Sequence, residues 1–159
     1  MKELAKLLKQ NNFTITTAES CTGGLIAGEI TKISGISDNF HMGVVTYSNS
    51  AKHKLIGVKN ETLERYGAVS KETAAEMVLG VMKLSGADCA IAVTGIAGPT
   101  GGTPDKPVGL VYIGCGLKDT VKVKRYVFSG DRGEVRNQTV KNAIYDMKSM
   151  IKSYGGINI

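Results

Sequence analysis

The chain of 159 residues is long enough to bury one core and short for two ordinary domains. Apolar residues at 42% and charged residues at 21% exclude a disordered chain, and no apolar run reaches the length of a membrane span. Three isolated cysteines and two histidines argue against a disulfide framework and leave little material for a metal site or a histidine-based triad.

The net charge of +6 comes from lysines scattered along the chain, with no dense stripe, no aromatic ladder and no tryptophan. Nucleic-acid binding therefore has no footprint beyond the charge itself.

Residues 2–11 read as an amphipathic helix, with Leu4, Leu7 and Leu8 between lysines, ended by Asn11-Asn12. This segment lacks the apolar core and cleavage site of a secretory signal, which sets a cytoplasmic expectation. β-Branched residues predict a strand over 13–19. A helix over 23–34 follows, with apolar Leu25, Ile26, Ile30 and Ile33, and it ends at Ser34-Gly35. A strand over 40–48 leads to a short helix over 49–56, capped by Asn49 and stopped by Gly57. A further helical turn spans Asn60 to Tyr66. Ser70 starts a longer helix running to Ser85-Gly86, with apolar Val78, Val81, Met82 and Leu84.

Asp88 to Thr94 is a continuous run of small apolar residues, the pattern of a strand buried on both faces. A Gly/Pro segment follows from Gly95 to Pro107. Residues 108–116 and 121–128 read as an antiparallel hairpin. Ser129 or Asp131 caps a last helix reaching Ser153, and the tail Gly155–Ile159 is expected to fray. Alternating strands and helices predict a single α/β/α sandwich of three layers over 1–159, and the late hairpin makes its sheet mixed.

Four stretches carry candidate chemistry. In Thr17-Ala18-Glu19-Ser20-Cys21-Thr22-Gly23-Gly24 a hydroxyl sits where a strand hands over to a helix. Unpaired N–H groups at such a junction suit attack on a carbonyl and capture of the oxyanion. Ser20 or Thr22 also suits a plain helix cap, Cys21 is a rival nucleophile, and Glu19 reads as a general base or a solvated acid.

With so few histidines, a base for Ser20 falls to lysine. Lys52, after Thr46-Tyr47-Ser48-Asn49, belongs to a segment that leaves the sheet at the same edge. An ordinary lysine holds its proton to about pH 10.4, so burial or a second cation such as Lys54 or an arginine must lower that value. The glycine-rich segment Thr94-Gly95-Ile96-Ala97-Gly98-Pro99-Thr100-Gly101-Gly102 lies at a strand's carboxyl end, where ligands of open α/β sheets gather. It is neither a Walker motif nor a dinucleotide fingerprint. Arg132 and Arg136 are four apart at the start of the last helix and share a face, which suits a phosphate clamp as well as pairing with Glu134.

Together these stretches, with Gly67-Ala68-Val69-Ser70 and Lys106-Pro107-Val108-Gly109, resemble the CinA C-terminal domain family. Its characterised members are nicotinamide-nucleotide amidohydrolases. The resemblance covers nearly the whole chain. It implies an anticodon-binding-domain-like fold, with a mostly parallel five-stranded sheet containing one antiparallel strand. It also implies hydrolysis of nicotinamide mononucleotide to nicotinate mononucleotide and ammonia. On this resemblance Ser20 is the nucleophile, Lys52 the base and Tyr47 an assisting residue. Thr22, Gly23, Thr94, Gly95, Gly98, Gly101, Arg132 and Arg136 fall in the substrate site.

No metal or organic cofactor is implied. The implied partner is a small nucleotide substrate, with no nucleic acid and no membrane, and family members often form homodimers. Many relatives carry this domain behind a larger N-terminal domain with a molybdopterin-binding-like fold. The sequence shows the deamidase-like part alone, and some stand-alone relatives are inactive. A silent nucleotide-binding module is thus the main rival, and a DNA-associated protein a distant one.

Overall fold

The structure is a computed structural model that describes residues 1–154, so the expectation for the tail lies outside the described residues. Helices α1 (Lys2–Asn11), α2 (Leu25–Thr31), α3 (Asn49–Ile56), α4 (Asn60–Tyr66), α5 (Lys71–Ser85) and α6 (Arg132–Tyr154) surround one sheet. Its strands are β1 (Ile15–Glu19), β2 (Phe40–Val45), β3 (Cys89–Gly95), β4 (Leu110–Leu117) and β5 (Thr120–Val127). They lie in the order β2-β1-β3-β4-β5. The β2–β1 and β1–β3 pairs are parallel, while β3–β4 and β4–β5 are antiparallel. Only β4 therefore opposes the other strands, in agreement with the mixed, mostly parallel sheet. Among the described residues no helix is long and apolar enough to cross a membrane.

Two apolar layers cover the sheet, and strand alternation decides which side chain enters which layer. Ile15 of β1 with Cys89, Ile91 and Val93 of β3 packs under α1, α2 and α6. Ala18 with Ala90 and Ala92 faces the other side, under α3, α4 and α5. The small residues on this second face let α5 lie close to the sheet. A Cβ on Gly114 would come within 2.7 Å of the Val78 side chain. β1 and β3 are buried on both faces, as the continuous apolar run of β3 required.

Several boundaries differ from the sequence reading. α2 starts only at Leu25, because Gly23 and Gly24 take positive φ values of 60° and 101°. Ser48 rather than Asn49 caps α3, with its hydroxyl accepting from the Ala51 N–H at 3.0 Å. Ser70 caps α5 in the same way, as expected. Leu84 is exposed; Met77 and Ala74 fill the inner face of α5 instead.

The parallel strands β1, β2 and β3 all end at one edge of the sheet. Ser20, Thr46 and Thr94 sit there, on adjacent strand ends. Thr46 N–H donates to the Glu19 carbonyl at 2.8 Å, and Ser20 N–H to the Val93 carbonyl at 3.1 Å. α3 leaves from this edge and lies against α5, so the packing of α3 decides where its side chains reach. At that contact a Cβ on Gly80 would fall 1.8 Å from the Ile56 carbonyl oxygen.

Gly80→Ala should therefore destabilise the protein by about 1–3 kcal/mol, although alanine is the better helix former. Thermal melting of the variant measures this. A melting temperature equal to or above that of the parent would show that α3 yields without cost.

Candidate active site

Lys52 is the largest fully buried side chain of the described residues, only 1% exposed. Its place on α3 is set by the Ser48 cap and by the Lys52 N–H bond to the Ser48 carbonyl at 3.0 Å. Its Nζ lies 3.0 Å from Ser20 Oγ and donates to the Thr46 carbonyl at 2.9 Å. Burial holds its pKa below the ordinary lysine value, opposed by a smaller effect of Cys21. Lys54, weighed as a helper, is exposed and takes no part. Removal from water alone depresses the pKa.

Cys21 is the second candidate nucleophile, and burial disarms it. Its thiol is pushed up to about 11, so it stays protonated and unreactive at neutral pH. Glu19 is neither solvated nor placed as a base toward Ser20. Its carboxylate is wholly buried on the opposite face of β1 and accepts four bonds. The donors are Thr22 Oγ1 (2.6 Å) and the N–H groups of Gly24 (3.1 Å), Ile26 (3.0 Å) and Ala27 (2.8 Å). The first turn of α2 is thus capped by a carboxylate from the preceding strand, and neither Ser20 nor Thr22 is its N-cap.

This frees the Ser20 hydroxyl. It also removes the α2 N-terminus as an anion site. The Gly23 N–H is used as well, donating to the Ser20 carbonyl at 3.1 Å. Among the described residues the N–H groups of Cys21 and Thr22 donate to no oxygen, and they remain for an oxyanion.

A cleft of about 220 Å³ opens beside this pair, with Ser20, Cys21, Tyr47, Lys52, Thr94, Gly95 and Arg132 in its walls. Ala68 and Val69, from the turn before α5, close it. Thr94 is buried, and its hydroxyl donates to the Ala68 carbonyl at 2.7 Å. Tyr47 is 61% exposed; its hydroxyl accepts from Arg132 Nη2 at 3.0 Å and lies outside the Ser20–Lys52 contact. Arg132 Nη1 donates to the Gly98 carbonyl at 3.0 Å, which ties α6 to the glycine-rich segment.

A larger hollow of about 710 Å³ shares Ala97 and Arg132 with the cleft and runs past Pro99, Val108 and Gly130. Thr22, Gly23, Gly98 and Gly101 line neither space; Thr22 and Gly98 are buried, while Gly23 and Gly101 are exposed.

The two arginines do not converge. Arg136 turns back to the Ser20 turn, with Nε on the Cys21 carbonyl at 3.1 Å and Nη2 on the Thr22 carbonyl at 2.9 Å. Nor is the start of α6 an open anion site. Asp131 Oδ1 accepts from the Glu134 N–H (2.9 Å) and Glu134 Oε2 from the Asp131 N–H (2.7 Å), a reciprocal cap that already places two carboxylates there. Arg132 is the arginine left facing the hollow. Among the described residues no cluster of three or more His, Cys, Asp or Glu side chains is placed to hold a metal ion.

Three contributors escaped the sequence reading. The caps by Glu19 and the carbonyls of Thr46 and Ala68 depend on backbone positions brought together by the fold. Only the Glu19-x4-Gly24 spacing before a helix hinted at the first.

The sequence model of the CinA C-terminal domain matches residues 1–151. The chain belongs to the CinA C-terminal domain family. A CinA-like protein of Kosmotoga olearia is 50% identical over 141 residues, which is 89% of this chain and 34% of that protein. A relative from Clostridium novyi, named for the competence-damage inducible proteins, is 57% identical with the same two coverages. The chain thus spans about a third of the length of these curated relatives.

A crystal structure of a CinA superfamily protein from Klebsiella pneumoniae superposes with a TM-score of 0.92 at 35% identity. It covers 95% of this chain and 94% of that one.

In this CinA domain the buried amine carries a measurable signature. The unfolded chain keeps the Lys52 proton up to about pH 10.4, whereas the folded protein releases it lower. Stability therefore rises with pH between the folded value and the unfolded one, by about 1.4 kcal/mol per pH unit from this group. Lys52→Met removes that slope. Denaturant titrations carried to pH 10 should show the variant's stability relative to the parent falling once the pH passes the folded-state pKa of Lys52, and curves that stay parallel to pH 10 would contradict a buried, depressed Lys52.

Proposed function

We propose that this CinA domain is an amidohydrolase that converts nicotinamide mononucleotide to nicotinate mononucleotide and ammonia through a Ser20–Lys52 pair. The observation that carries the reading is a lysine 1% exposed with its amine 3.0 Å from a serine hydroxyl at a cleft. A neutral amine has two N–H groups and one lone pair. A carbonyl only accepts, so Lys52 gives a hydrogen to Thr46. Its lone pair is then available to the Ser20 O–H.

In the proposed reaction Lys52 takes the Ser20 proton as Oγ bonds to the amide carbon. The carbonyl oxygen becomes an oxyanion held by the Cys21 and Thr22 N–H groups. Collapse breaks the C–N bond, and Lys52 returns its proton to the departing ammonia. Water, deprotonated by Lys52, then hydrolyses the acyl-serine ester and regenerates Ser20 as the acid product leaves. Tyr47, bonded to Arg132, stands at the mouth of the cleft and assists by packing on the pyridine ring and holding that guanidinium. The 5′-phosphate lies in the larger hollow toward Arg132, so remote binding energy orients the amide.

Thr94 supplies a reason for amide selection. Its proton is committed to the Ala68 carbonyl, so toward the cleft its oxygen is an acceptor only. Ser20 follows Glu19, which pairs with Val93, so Thr94 stands beside Ser20 on the same face. An acceptor there matches the N–H₂ of a carboxamide and repels a product carboxylate.

Ammonia release from the mononucleotide should vanish in both Ser20→Ala and Lys52→Ala while circular dichroism stays native; turnover surviving either change sinks the mechanism. In the parent, kcat/KM should climb on the acid side of the pH profile as Lys52 loses its proton, with a midpoint below the ordinary lysine value. Calorimetry with the same nucleotide separates a silent binding module, which takes up heat-detectable ligand without releasing ammonia. Thr94→Val should lower kcat/KM about tenfold, the worth of one hydrogen bond, and weaken discrimination against the acid product. Equal inhibition by the product in parent and variant would remove Thr94 from selection.

A further inference from the structure

The turn Ser20-Cys21-Thr22-Gly23 is gripped from both sides of the sheet. From α3 the Lys52 amine reaches Ser20 Oγ. From α6, in the opposite layer, the planar fork of Arg136 reaches two successive carbonyls, those of Cys21 and Thr22. A fork bound at two points fixes the orientation of the peptide units it holds.

In a trans peptide the C=O and N–H point in opposite directions. The Cys21 carbonyl faces Arg136. The Thr22 N–H, which belongs to the same peptide unit, therefore faces away from α6 and toward the layer from which Lys52 approaches. The neighbouring Gly23 N–H is occupied by the Ser20 carbonyl, while the Thr22 N–H donates to no oxygen among the described residues. A free, buried N–H two residues beyond a nucleophile is costly to leave unpaired unless something binds it. Thr22 is wholly buried.

We infer that Arg136 is a positioning residue that aims the Thr22 N–H at the oxyanion formed when Ser20 attacks, and does not bind the substrate's phosphate. The inference rests on the Ser20 mechanism proposed above. Arg136 acts from behind the turn and touches no reacting atom. Its effect is on the transition state, where charge develops on the oxygen, and not on binding of the uncharged amide.

The test compares Arg136→Lys and Arg136→Ala with the parent on nicotinamide mononucleotide and on the phosphate-free riboside. The alanine variant loses the fork; the lysine variant keeps the charge and still loses the fork, and it carries the test should the alanine variant fail to fold. The expected result is a fall in kcat of about a hundredfold on both substrates with KM little changed. Partial recovery on adding guanidinium ion to Arg136→Ala is also expected.

A rise in KM confined to the phosphorylated substrate would assign Arg136 to the phosphate and overturn the inference, as would an unchanged kcat in a folded variant. Acylation of Ser20 by p-nitrophenyl acetate, followed by mass spectrometry, needs no nucleotide. Acylation slowed in the Arg136 variants, in a protein that releases no ammonia from the mononucleotide, removes the nucleotide reading and leaves the inference standing. Acylation independent of Arg136 in a protein that does release ammonia has the opposite consequence.

Discussion

The structure turns on one amine held out of water. A lysine side chain is ordinarily the last to be buried, because its charge loses its hydration and gains nothing in return. Here Lys52 is buried with two oxygen neighbours, a carbonyl and a hydroxyl, and among the described residues no carboxylate pairs it. Burial lowers the pKa of Lys52, which moves it toward the neutral state that the proposed base requires. A carboxylate beside it would favour the charged form and raise the pKa of Lys52.

Everything near Lys52 keeps polar groups from interfering with that contact. Glu19, the only acid in the nucleophile segment, lies on the opposite face of its strand and is consumed by the α2 N-terminus. Cys21 stays a thiol. Thr94 spends its proton on Ala68. Arg136 spends its fork on the turn's carbonyls, and Arg132 spans the glycine-rich segment and Tyr47. The sheet edge is thus built from pairs already made, which leaves few open hydrogen-bonding positions. In the proposed reaction those positions meet a carboxamide: Thr94 accepts from its N–H₂, the Cys21 and Thr22 N–H groups face its oxygen, and Lys52 faces the Ser20 hydroxyl.

The same edge explains why the site needs the whole fold. Residues 20, 46 and 94 are far apart in the chain and adjacent because β1, β2 and β3 run parallel and end together. Lys52 arrives on a short helix whose position depends on the close contact between Gly80 and Ile56. Arg136 arrives from the far layer on the longest helix. No two of these groups are fixed by the same element, so a shift of any layer changes the distances between them.

Much of this was readable beforehand. Periodicity and turn residues indicated each helix and strand, because local patterning follows from the 3.6- and 2-residue repeats of the backbone; the late hairpin made the sheet mixed, and the family resemblance implied its single opposed strand. The shortage of histidine directed attention to a lysine base, and the ordered motifs identified the family. What the chain could not reveal was partnership. Glu19 read as a possible base until strand alternation sent it to the other face, and two arginines on one helix face read as one clamp until Arg132 met the Gly98 carbonyl and the Tyr47 hydroxyl and Arg136 the carbonyls of Cys21 and Thr22. Identity and spacing along a chain determine which groups exist and which way a strand alternates. Only folding decides which of them lose water, and which backbone oxygens and N–H groups they meet, and it is these two choices that bring an ordinary lysine and serine into a buried contact.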